Sequence, residues 1–89
     1  MAWYLRQCDG EWEHGFGIRL ETLDNPGWSL RISTLRTDTE LSDRAAVEVN
    51  LEDEINWMVY RVEEGDYVAH GGPNMLAKMI QTFFRISAQ

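Results

Sequence analysis

The run Asp24-Asn25-Pro26-Gly27 separates two stretches in which apolar and polar residues alternate, and it constrains the fold more than any other feature of the chain. Upstream, Phe16, Ile18, Leu20 and Thr22 alternate with Gly17, Arg19, Glu21 and Leu23. Downstream, Trp28, Leu30 and Ile32 alternate with Ser29, Arg31 and Ser33. A period of two marks a strand with one buried face. Pro26 and Gly27 suit the second and third positions of a type II turn, one fixing φ and the other accepting a positive φ, while Asn25 is held extended by the proline after it. An antiparallel hairpin is therefore predicted, with Phe16, Ile18, Leu20, Trp28, Leu30 and Ile32 facing the core.

The same period returns from Ala45 to Leu51, where Val47, Val49 and Leu51 share a face. It returns again from Ile55 to Glu63, where Trp57, Val59 and Arg61 oppose Met58, Tyr60 and Val62. Large apolar groups on both faces of that segment predict an interior strand. Glu64-Gly65-Asp66 predicts a tight hairpin loop into a short strand from Tyr67 to His70. Two segments read as helical. Ala2 to Gln7 carries Trp3, Tyr4 and Leu5 and ends before Gly10. After Gly71-Gly72-Pro73-Asn74, residues Leu76, Met79, Ile80, Phe83 and Phe84 recur at spacings of three and four. Leu35 to Arg44 is polar and reads as a connection. The expected fold is α+β: a mainly antiparallel sheet of about five strands, a C-terminal helix packed on one face and a short N-terminal helical turn. Eighty-nine residues hold one core and not two, so a single domain over residues 1–89 is expected.

Cys8 is the only cysteine, which excludes an internal disulfide and a Cys/His set for structural zinc; no cofactor is expected. Met1 to His14 has no basic stretch followed by an apolar one, and no segment approaches the roughly 20 apolar residues that span a bilayer, so a cytoplasmic location is expected. Fifteen acidic against eight basic residues give a net charge of −7, which repels phosphate backbones and anionic lipids. Nucleic acid and membrane are thereby poor partners, whereas a basic protein would be steered toward this surface.

Two acidic clusters are candidates for that contact. The first is Cys8-Asp9-Gly10-Glu11-Trp12-Glu13-His14. Its plainest reading is a solvated loop with Trp12 anchored in the core; its functional reading is a partner contact through Asp9, Glu11, Trp12, Glu13 and His14. The alternative, a small metal-binding protein or enzyme using Asp9, Glu11, Glu13 and His14, has the right donor types, but neither an EF-hand-like spacing nor an HExxH helix is present. A Cys8 nucleophile paired with His14 is disfavoured because three neighbouring carboxylates oppose thiolate formation. Gly71-Gly72-Pro73 lacks the P-loop pattern, and its proline removes an N–H that an anion would use. The second cluster, Asp38 to Glu54, holds seven acidic residues against Arg44 alone and so carries six of the seven net negative charges. Glu52, Asp53 and Glu54 are its densest part. Trp12, Trp28, Trp57 and Tyr60 are candidate anchors for an interface, although at least two of the three tryptophans are expected to be buried.

The uninterrupted strings Gln7 to His14 and Glu21 to Trp28, together with Trp3-Tyr4, Gly17-Ile18, Asn56-Trp57 and Gly71-Gly72-Pro73-Asn74 with Leu76, resemble the bacterial immunity 53 family. The resemblance implies a cytoplasmic antidote, encoded beside a toxin of a polymorphic toxin system, that protects its own cell by binding that toxin. A nuclease toxin would carry a basic cleft that an acidic protein could cover.

Overall fold

The computed structural model describes residues 2–8, 10, 12, 17–24, 26–35, 37 and 39–87. In chain order its elements are α1 (Ala2–Gln7), β1 (Ile18–Leu23), β2 (Gly27–Ser33), β3 (Arg44–Val49), β4 (Met58–Glu63), β5 (Asp66–Gly71) and α2 (Leu76–Ser87). The strands form one five-stranded sheet in the order β1-β2-β5-β4-β3, with every neighbouring pair antiparallel. The expected α+β architecture is the one found. β4 is interior, and the last and shortest expected strand, β5, is the centre of the sheet.

The register explains the core. Leu30, Ala69 and Tyr60 lie side by side across β2, β5 and β4, and Ile32, Tyr67 and Val62 form the next row. All six are buried, and α2 lays Met79, Phe83 and Ile86 over them. Each fully buried large apolar side chain contributes about 1.5–3 kcal/mol. The Tyr67 hydroxyl donates to the Met79 carbonyl at 2.7 Å, which satisfies the one polar atom that this buried ring brings under the helix; burial pushes the phenol pKa upward. α1 closes the core beside the far end of α2: Trp3 stands edge-on to Phe83 at 5.1 Å and to Trp12 at 5.7 Å.

A helix about 10 Å across covers roughly two strands spaced 4.7–4.9 Å apart. That is why the two edge strands depart from the expected burial. Leu20 on β1 and Val47 on β3 face the helix side but are 48% and 37% exposed. Ile18 is half-buried, Phe16 lies outside the described residues, and Leu51 falls in a turn after β3 rather than within it. On α2 the buried stripe is Met79, Thr82, Phe83 and Ile86, with Phe84 turned outward. The loop between β4 and β5 is the expected tight one: Glu63 pairs with Asp66, and Glu64 and Gly65 both have positive φ, at 51° and 82°. Such a two-residue turn matches the right-handed twist of the strands it joins. The β1–β2 turn differs from the expected type II form. Gly27 lies inside β2 opposite Leu23, and its φ is not positive.

Candidate functional site

What Gly27 supplies is a close approach. A Cβ there would overlap the carbonyl oxygen of Gly71, the last residue of β5. Gly71 is hemmed in too, since a Cβ on it would lie 2.9 Å from the Met79 sulfur and 3.2 Å from the Trp57 carbonyl oxygen. A Cβ on Gly72 would overlap the carbonyl of Ile55, and the Gly72 N–H donates to the Trp57 carbonyl at 3.0 Å. The Trp28 indole N–H donates to the Pro73 carbonyl at 3.2 Å. Three connections therefore meet backbone to backbone at one end of the sheet: the β1–β2 turn, the β3–β4 connection and the β5–α2 connection.

Between them lies an open cleft of about 780 Å³. Its apolar walls are Pro26, Leu51, Ile55, Trp57 and Pro73, and Asp53 and Glu54 stand among them. Leu51 and Ile55 are each about half exposed, so this end presents apolar surface to solvent. The shape of the β3–β4 connection follows from its own residues. Asn50 takes a positive φ of 51°, which asparagine tolerates, and its carbonyl accepts the Asp53 N–H at 2.9 Å. The Asp53 carboxylate then accepts the backbone N–H groups of Ile55 at 2.8 Å and Asn56 at 2.9 Å. These bonds, Asn56 first, hold its pKa below the usual value. They also explain why β4 begins at Met58 and not at the expected Ile55: residues 55–57 are drawn into the capped turn. Glu52 and Glu54 are exposed beside it.

The residues expected at a partner contact are thus placed unequally. Asp53 and Glu54 line the cleft, and Glu52 is exposed just before them in the chain. Asp9, Glu11, Glu13 and His14 lie outside the described residues, as do Asn25 and Asp38. Trp12 is 1% exposed, packed against Trp3 and Tyr4. That is the opposite end of the sheet, where Ile86 and the β4–β5 turn lie, and strands of six residues put about 20 Å between the ends. The acidic segment before Glu52 runs along edge strand β3 from one end to the other. Asp43 accepts the Glu64 N–H at 2.9 Å in the β4–β5 turn, Glu48 lies next to last in β3 opposite Val59, and Glu52 to Glu54 follow it. Of Trp12, Trp28 and Trp57 only Trp12 is buried; the other two stand at the sheet end, beyond the cover of α2, and are partly exposed. Pro26, Leu51, Ile55 and Pro73 had no functional reading in the sequence. The available signal was that the two prolines and the acidic triplet each sit beside a turn.

The sheet face opposite α2 carries a row of Arg19, Arg31 and Arg61 around the buried Val68. Arg31 pairs with Asp66 at 2.8 Å and Arg61 with Glu63 at 3.5 Å. In the next row His70 lies between Ser29 and Val59, its pKa lowered by burial and then by the Arg61 charge. Among the described residues no group of three or more His, Cys, Asp or Glu side chains could hold a metal ion, and no helix is long and apolar enough to cross a membrane.

The sequence model of the family described as Immunity protein 53 matches residues 1–88. No curated protein and no solved structure matches the chain.

Proposed function

Because the chain belongs to the Immunity protein 53 family, we propose that it protects a bacterial cell by binding a cognate toxin in the cytoplasm, stoichiometrically and with no catalytic residue of its own. The observation that carries the site is the cleft between the three connections, where exposed apolar walls meet Asp53 and Glu54, with exposed Glu52 preceding them in the chain. An interface core needs apolar anchors that can be fully desolvated, with polar groups around them. Trp57 and Ile55 supply the first and the carboxylates the second. The acidic row along β3 adds long-range attraction for a basic toxin, which raises the association rate more than the affinity.

Asp9, Glu11, Glu13 and His14, which lie outside the described residues, would serve a further contact with the toxin, and buried Trp12 would support it without touching the partner. The proposal is tested by co-expression with the toxin domain encoded beside this gene. Growth rescue and a co-purifying one-to-one complex are expected; a toxin that still kills and elutes alone overturns the reading.

A further inference from the structure

We infer that the cleft receives a short apolar segment of the partner bearing an arginine or lysine, whose alkyl stem lies against Trp57, Ile55 and the two prolines while its charged head meets Glu54 and Glu52. The inference rests on the toxin-binding reading and specifies which chemistry this end of the molecule selects.

Three observations carry it. The first is uncompensated charge. Several carboxylates of the fold are engaged, Asp66 with Arg31, Glu63 with Arg61, and Asp43 and Asp53 with backbone N–H groups, whereas Glu21, Asp24, Glu48 and Glu64 have no such partner among the described residues but do not line the cleft. Among the described residues neither Glu52 nor Glu54 has an ion-pair or hydrogen-bond partner, and no lysine or arginine lines the cleft. A cation arriving there meets acidic groups with no internal partner to displace. The second is the chemistry of the walls. Pro26, Leu51, Ile55, Trp57 and Pro73 offer an indole and aliphatic surface, which long basic side chains cover with their methylenes while keeping the charge outside. An acidic or purely apolar segment would satisfy only one of these features. A second copy of this chain is a poor occupant, because a two-fold contact at this end would set Glu52 and Glu54 against themselves in a molecule of net charge −7.

The third is rigidity. Gly27, Gly71 and Gly72 bring the three connections into backbone contact that leaves no space for a side chain, so the walls are in place before a partner arrives. A preformed cleft loses little conformational entropy on binding. Its volume, about 780 Å³, lies within the range of sites that enclose small ligands and has room for more than one side chain.

The test is a titration of the full chain, followed by amide and indole N–H resonances, with the probe acetyl-Leu-Arg-Leu-amide against acetyl-Leu-Glu-Leu-amide. The arginine probe should shift Ile55, Asn56 and the Trp57 indole with a Kd of about 1 mM. The glutamate probe should bind about tenfold more weakly or not at all, and Glu54→Lys should reduce the arginine affinity by a similar factor while the remaining spectrum stays that of the folded chain. No shift by about 10 mM, equal shifts with both probes, or full affinity in Glu54→Lys overturns the inference. If those results come with intact growth rescue by the unsubstituted chain, only the occupant of the cleft is lost and the antidote reading stands. A failure of rescue removes that reading whatever the peptides do.

Discussion

Gly72 is fixed as glycine by a residue seventeen positions earlier in the chain. Its missing Cβ is what lets the Ile55 carbonyl sit against it, and because the obstacle is backbone rather than the tip of a flexible side chain, neither partner can give way locally. Gly72→Ala should therefore destabilise the domain by about 1–3 kcal/mol, as other overpacked sites do. In a chain of this size each kcal/mol lowers Tm by about 4–8 °C, so calorimetry reads the effect directly, and an unchanged Tm would show that the three connections are not locked together. Gly27 obeys the same logic against Gly71. The sequence made Gly27 visible as punctuation but assigned it the wrong cause. A positive φ is a local property that the run Asp24 to Gly27 can suggest, whereas contact with a residue forty-four positions later has no local signature. The tryptophans show the same limit. Trp12, Trp28 and Trp57 are equally apolar in sequence, and only the reach of α2 and α1 decides that Trp12 is enclosed and Trp57 is half open to the cleft.

Strands and helices were legible because their periods are local, and their order in the sheet was not. β5 reads as a short strand after a hairpin, yet it pairs with β2 on one side and β4 on the other. That position accounts for His70. It lies on the sheet face away from α2, in a row with Ser29 and Val59, with Arg61 close enough to disfavour a second positive charge. Burial first and Arg61 second lower its pKa from the ordinary 6.5, so the folded chain binds this proton less readily than the unfolded chain. The stability His70 contributes is complete above about pH 6.5 and falls as the pH drops below that value toward the folded-state pKa. Urea midpoints measured at pH 7.5 and about pH 5.5 should thus differ more for the natural chain than for His70→Gln, which cannot titrate. Equal differences would remove His70 as a source of the acid sensitivity. Asp53 acts at lower pH on a single element. Protonation weakens its hold on the Ile55 and Asn56 N–H groups, so exchange of those two amides should accelerate as the pH falls through the depressed pKa, whereas amides within β4 keep their protection.

At the scale of the molecule the charge of −7 is neither uniform nor gathered in one patch. Its largest share follows edge strand β3 from Asp43 beside the β4–β5 turn to Glu54 at the cleft, while the arginines of β1, β2 and β4 line the open sheet face. The sequence showed the excess between Asp38 and Glu54 but could not show that a strand draws it out over about 20 Å, twice the roughly 10 Å over which 0.1 M salt screens a charge. A toxin docking at the cleft should accordingly feel its two ends unequally. Reversal of Glu52 and Glu54 to lysine should slow association about tenfold at low salt and flatten its salt dependence. Glu40→Lys, in the β2–β3 connection beside Asp43 and Ile86, should change the rate by less than about twofold. Since Glu52 and Glu54 are exposed and unpaired among the described residues, their reversal should leave folding stability within about 0.5 kcal/mol, so a slower rate cannot be ascribed to unfolding. Stopped-flow association at two ionic strengths separates the possibilities. A larger loss from Glu40→Lys would move the docking face to the end anchored by Trp3 and Trp12, and a loss from Glu40→Lys of about half that of the double reversal on a logarithmic scale, in proportion to the charge each changes, would mean that the toxin responds to net charge and not to the cleft.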